Sequence, residues 1–195
     1  MIKASDIASL REKTELGMME CKKALEEAKG DESQALEILR RKGASKAASK
    51  AEREVKSGII EAYVHDSKIG VLLEVLTETD FVAKNEEFKQ FVHDVALHIA
   101  ASEPKYIESK EIPADLIEKE KDILLSQDDL KGKPKEIAEK IINGRMNKFY
   151  EQVCLLNQTF IKDQDKTIED LLNSLIQKIG EKIVISRFVR YQIGE

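Results

Sequence analysis

The sequence predicts an α+β protein: an N-terminal three-helix module, a basic linker, and a core domain of a small antiparallel sheet packed with helices. Three observations carry that prediction. Up to residue 43, apolar residues recur at helical spacing in short runs separated by glycines. After residue 57, the β-branched runs "GIIEAYVH" and "IGVLLEVLTET" flank the short polar break "DSK", as the arms of a hairpin do. The C-terminal run "KIVISRFVRYQI" alternates as well and supplies a further strand for the same sheet.

In chain order, Ser5 can cap a helix carrying Ile7 and Leu10, and "TELG" breaks it, with Gly17 supplying a permissive backbone. Met18, Met19, Cys21, Leu25 and Ala28 follow at helical spacing until Gly30 stops the helix. Asp31 caps a third helix through Ala35, Leu36 and Leu39, which Gly43 closes. Residues 1–43 thus form one small module, too short to bury much surface alone. Residues 40–56, "RRKGASKAASKAEREVK", hold seven basic and two acidic residues, a local charge of +5 against −5 for the whole chain. Residues 44–56 are Ala-rich without an apolar face and read as a solvated, partly helical linker.

The core domain occupies 57–195. On its second strand Val71, Leu73 and Val75 face one way, and Leu72, Glu74 and Leu76 the other. Phe88, Phe91, Val92, Val95, Ala96 and Ile99 mark a helix that ends before Pro104. Pro113 opens a charged helical stretch, and Pro134 of "GKP" suits the first position of another. Ala138, Ile142, Met146, Phe149 and Val153 stripe that helix, with Gly144 as its weak point. "TIED" at 167–170 is a capping box for a helix through Leu171, Leu172, Leu175, Ile176 and Ile179, ended by Gly180. On the last strand Ile183, Ile185, Val189, Tyr191 and Ile193 share one face, interrupted by Arg187.

Composition excludes several functions. The chain is 42% hydrophobic and 35% charged, which suits a packed core, and no run approaches the roughly 20 apolar residues of a membrane span. "MIKASDIASLREK" has no apolar signal core, so a cytoplasmic protein is expected. Aromatics are 5% with no Trp, and the net charge is negative; a specific nucleic-acid partner is not expected. Cys21 and Cys154 have no metal or redox spacing and read as reduced, partly buried thiols. His93 and His98, five apart, do not share a helix face, and His65 stands alone. Neither a phosphate-binding glycine loop nor a nucleophile elbow is present. The sequence therefore offers no catalytic residue, no cofactor site and no metal site, and binding is the remaining activity.

Three features could bind. The basic linker is a solubilising connector or, alternatively, an RNA- or ribosome-associated patch acting through phosphates. Met18 and Met19 are adjacent, so one helix face cannot bury both; they are core residues or part of an adaptable surface. Phe81 in "TETDFVAKN" falls outside the following helix's stripe, which breaks at Lys84 and Asn85. It is either an anchor tucked under the connection or a knob for a partner, with Asp80 beside it for a directional contact.

The stretches "LREKTELGMMECKKALEEAKGDESQALEILRRKG", "TDFVAKNEEF", "VALHIAASEPKYI", "GRMNKFYEQVCLLNQTFIKD" and "IGEKIVISRFVRYQIGE" together resemble the bacterial translation elongation factor Ts family over essentially the whole chain. The departure is Glu15, where the family pattern has glycine. The resemblance implies a guanine-nucleotide exchange factor for elongation factor Tu that acts by binding, with no catalytic residues. It implies that Thr79, Asp80, Phe81 and Val82 wedge against the GTPase domain and disturb its Mg²⁺ and phosphate binding. It implies that Arg11, Met18 and Met19 dock the N-terminal module, similar to a ubiquitin-associated three-helix fold, on another GTPase helix. The chain is similar to short family members with a half-sized core, which implies a homodimer, with Val189 and Tyr191 as candidate interface residues.

Overall fold

The computed structural model describes residues 2–127 and 135–194. Helices α1 (Ala4–Thr14), α2 (Met18–Glu27) and α3 (Glu32–Ala48) bury Leu10, Leu16, Cys21, Ala24, Leu25, Ala35, Ile38 and Leu39 among themselves. Helix α1 ends on Glu15 in the left-handed region, φ 55°, whose N–H donates to the Arg11 carbonyl. The backbone form that glycine would take easily is here adopted by a glutamate. Gly30, at φ 90°, follows α2, and the Asp31 carboxylate accepts from Gln34 N at 2.9 Å to start α3.

Gly43 does not close α3. The helix runs five residues further because this glycine is a packing position: a Cβ there would sit 2.9 Å from Gln177 Oε1 and 3.5 Å from the Asn173 carbonyl. The absent side chain lets α3 lie close against α8 (Ile168–Ile179), which outweighs a glycine's helix cost of about 1 kcal/mol. Helical structure therefore crosses position 44, and Ala47 packs on the main core.

Strands β1 (Ser57–His65) and β2 (Ile69–Thr77) form the predicted antiparallel hairpin, and β5 (Ile183–Gln192) pairs on the other side of β2 in the order β1-β2-β5. Val71, Leu73 and Val75 point into the core while Leu72 is exposed, as alternation predicts. The last strand departs from simple alternation. Val75 pairs with Ile185 but Glu74 pairs with Arg187, leaving Ser186 as an extra residue. One inserted residue reverses the facing of everything after it. Ile183 and Ile185 are buried, whereas beyond the bulge Phe188 turns inward, and Val189 and Tyr191 face outward.

Behind the sheet lies α5 (Glu86–Ser102), which buries all six predicted stripe residues and also His98. Helix α8 closes the core, with the capping box between Thr167 and Asp170 and the left-handed Gly180 both as predicted. Short strands β3 (Thr159–Phe160) and β4 (Asp163–Thr167), which sequence patterning does not distinguish, make a second small sheet before α8. Helices α6 (Ala114–Leu125) and α7 (Lys135–Val153) project as a hairpin, and Pro113 stands at the N-cap of α6. Pro134, predicted as a first helical residue, lies outside the described residues. Among the described residues no helix is long and apolar enough to cross a membrane.

Candidate docking site

The connection from β2 to α5 is built on a one-turn helix, α4 (Asp80–Ala83), rather than on a plain loop. Thr79 has extended φ/ψ, and its hydroxyl accepts from Val82 N at 3.4 Å, a side-chain cap. Asn85 then caps α5, its side-chain oxygen accepting from Glu87 N at 2.8 Å and Phe88 N at 3.1 Å. Two caps six residues apart force a separate turn between sheet and helix. Such a turn has an inner and an outer side. Val82 and Ala83 are on the inner side, Val82 within the main core. Phe81 is on the outer side and is 85% exposed. The reading of Phe81 as a buried anchor is therefore wrong; its neighbour Val82 does that job. Asp80 is exposed and pairs with Lys84, one helical turn on.

What holds this turn comes from far away in the chain. Glu181 lies between α8 and β5, and its carboxylate receives three hydrogen bonds. Thr77 Oγ1 donates at 2.9 Å, Thr79 N at 3.0 Å and Thr79 Oγ1 at 2.7 Å. The adjacent pair is reciprocal: Glu78 accepts from Lys182 N at 2.6 Å and from Arg53 at 3.1 Å. The Lys182 amide first, and then the Arg53 guanidinium, hold the Glu78 carboxyl below its ordinary range. Lys182 Nζ in turn donates to the carbonyls of Ala51, at 2.6 Å, and Arg53, at 2.8 Å. The stem of the Phe81 turn, the end of the basic segment and the α8–β5 turn form one polar network. Sequence reasoning missed Glu181, Lys182 and Glu78, whose partners are about a hundred positions distant.

On the N-terminal module, Met18 and Met19 open α2 and are 56% and 63% exposed, so neither is a core residue. Arg11 is exposed in the last turn of α1, across the 15–17 loop from them. Two exposed thioethers at a helix start make an adaptable apolar surface. The basic segment, by contrast, is largely paired with carboxylates, most of them from other parts of the chain. Arg40 pairs with Asp170, Lys42 with Glu27, Lys46 with Glu20, Arg53 with Glu78 and Lys56 with Glu54, while Lys50 is buried.

The remaining titratable candidates are structural. His98 is fully buried, its Nε2 within 3.0 Å of Gln158 Oε1, and burial lowers its pKa. Cys154 is buried and its thiol is pushed up to about 11, chiefly by that burial, which makes it a poor nucleophile. Cys21 is buried too. Among the described residues no group of three His, Cys, Asp or Glu side chains is placed to hold a metal ion. The arrangement presents an exposed ring and two exposed thioethers.

Residues 89–195 match the family model described as Elongation factor TS. The chain is 56% identical to Elongation factor Ts of Acetivibrio thermocellus over 196 aligned residues, covering all of this chain and 91% of that protein. It is 52% identical to Elongation factor Ts of Moorella thermoacetica and 53% identical to that of Thermodesulfovibrio yellowstonii, covering 97% of each.

Proposed function

This chain belongs to the elongation factor Ts family of translation elongation factors, and from that premise we propose that it is a guanine-nucleotide exchange factor for elongation factor Tu. Such a protein needs no catalytic base. It must bind the nucleotide-free GTPase tightly and the nucleotide-bound form weakly; linkage then makes nucleotide weaken the factor as the factor weakens nucleotide. The GTPase's own Mg²⁺ is the largest local charge at its diphosphate, and disturbing that ion's contacts loosens GDP.

The observation that carries this reading is the exposure of Phe81 on a turn whose stem is clamped by Glu181 and whose inner side is anchored by Val82. A ring carried on a backbone that is already held costs less ordering on insertion, so more of its burial energy goes to the complex. In this reading Phe81 enters an apolar crevice beside the nucleotide site, and Asp80 exchanges Lys84 for a polar contact on the GTPase. Thr79 and Val82 hold the wedge rather than touch the partner. Arg11, Met18 and Met19, within the docking module of residues 1–43, engage a second GTPase helix. The segment 44–56 connects that module to the core domain of 57–195. The ion pairs along residues 40–56 speak against an RNA-binding role for that segment.

The reading includes a homodimer. The outer face of the sheet carries Ile60 and Val64 on β1, Leu72 on β2, and Val189 and Tyr191 on β5, all exposed. Strand register sets Ala62, Leu72 and Val189 in one row and Val64, Gly70 and Tyr191 in the next. Those two adjoining apolar rows, bordered by the Glu74–Arg187 ion pair in the row of Ile60, would be satisfied by a second copy packing face to face.

The test is release of labelled GDP from elongation factor Tu. Burying a Phe side chain is worth about 1.5–3 kcal/mol, so Phe81→Ala should slow stimulated release by about tenfold to a hundredfold. A variant that stimulates release as well as the wild type would refute the wedge.

A further inference from the structure

The two docking surfaces are not independent, because one lysine binds both of their supports. Lys178, in the last turn of α8, places Nζ 2.8 Å from Glu15 Oε2 and also donates to the Glu87 carboxylate. Glu15 is the left-handed residue that ends α1, three positions before Met18. Glu87 lies in the first turn of α5, directly after the Phe81 turn, and its N–H is held by the cap residue Asn85. The lysine side chain is 29% exposed and that of Glu87 39%, whereas Glu15 is 69% exposed, so the Glu87 arm is the better shielded of the two. Both carboxylates draw on a single ammonium, which suits a bridge between two bodies.

The same stretch of chain, residues 178–182, also supplies Glu181 to the Phe81 stem and Lys182 to the end of the basic segment. The α8–β5 turn is therefore the place where module, linker and wedge meet. We propose that Lys178 is a positioning residue that fixes the Met18–Met19 corner relative to Phe81, so that both engage one partner molecule in a single event. This proposal rests on the exchange reading above. Two binding elements held at the right separation act with a high effective concentration; a hinge between them lowers it. Glu15, unlike a glycine, brings a carboxylate to the bridge, and its left-handed backbone aims that carboxylate across the module boundary.

Two measurements on the full chain test the proposal. In the first, spin labels on Lys23→Cys and Lys89→Cys report the distance distribution between α2 and α5; the two native cysteines are buried and stay unlabelled. Lys178→Met should broaden that distribution, Glu15→Gln should broaden it less, and Lys178→Arg should restore it. In the second, stimulated GDP release is followed against elongation factor Tu concentration. Lys178→Met should raise the KM by about threefold to tenfold while kcat changes less than twofold, because the wedge itself is intact. An unchanged distance distribution in both Lys178→Met and Glu15→Gln would overturn the bridge. A fall in kcat without a change in KM would overturn the coupling role, since it would make Lys178 part of the wedge. If the wild-type protein does not stimulate release at all, the exchange reading fails and the coupling role fails with it, whereas the spin-label result still reports on the bridge alone.

Discussion

Replacing Glu181 with alanine should loosen the Phe81 turn without touching any residue of the docking surface. Three hydrogen bonds are lost, but they do not count equally. Thr77 Oγ1 is buried, yet it keeps the Thr79 carbonyl as a second acceptor at 3.2 Å. Thr79 N and Oγ1 are at the surface and turn to water. A buried hydrogen bond to a charged group contributes about 1.5–3 kcal/mol, so the surface location brings the total to about 1–2 kcal/mol. For a protein of this length that is a fall in Tm of about 3–6 °C, measured by calorimetry. The larger effect is on exchange. Losing the fixed Thr79 cap costs a helix about 0.5–2 kcal/mol, here for a helix of a single turn, and the complex must then supply that ordering. Stimulated GDP release should fall by about twofold to thirtyfold at subsaturating factor. Glu181→Gln, which keeps one carbonyl oxygen for the Thr77 hydroxyl and the Thr79 amide, should fall between wild type and alanine. A variant with the expected loss in Tm and full exchange activity would refute the argument, because the clamp would then serve stability alone.

Other consequences are quick to check. Val82→Ala should cost about 2 kcal/mol in urea unfolding because Val82 is buried in the main core, whereas Phe81→Ala should stay within about 0.5 kcal/mol of wild type. Tyr191 is 71% exposed on the open sheet face, so Tyr191→Asp should convert a dimer to monomer in light scattering while leaving the unfolding of the monomer unchanged. His98 is held neutral by burial, with a folded pKa below the ordinary value. The unfolded chain therefore binds a proton that the folded chain refuses once pH drops through about 6.5, and stability should decline from there toward the lower folded pKa. Urea titrations at pH 7.5 and 5.5 would reveal this as a lower midpoint at the acidic pH; a slope of opposite sign would refute it.

The sequence by itself determined most of the helices and the three strands of the main sheet, and it singled out Phe81. Caps at Asp31 and Thr167, the alternation of Val71, Leu73 and Val75, and the α5 stripe all act within a few residues, and each is found in place. Phe81 was legible as an exception because Asn85 interrupts the stripe behind it; whether it pointed in or out was not. That choice belongs to packing: Val82 takes the inner side of the turn and leaves Phe81 none. Gly43 read as a stop because glycine usually ends helices, but the approach of α8, more than a hundred residues away, gives it another use. The outward turn of Val189 and Tyr191 depends on a bulge at Ser186, which exists only once β5 pairs with β2. Lys178 and Glu181 are the clearest case. Nothing in their neighbourhood marks them out, because a carboxylate or an ammonium acquires its role from the charge it meets, and here every such partner is brought by the tertiary fold.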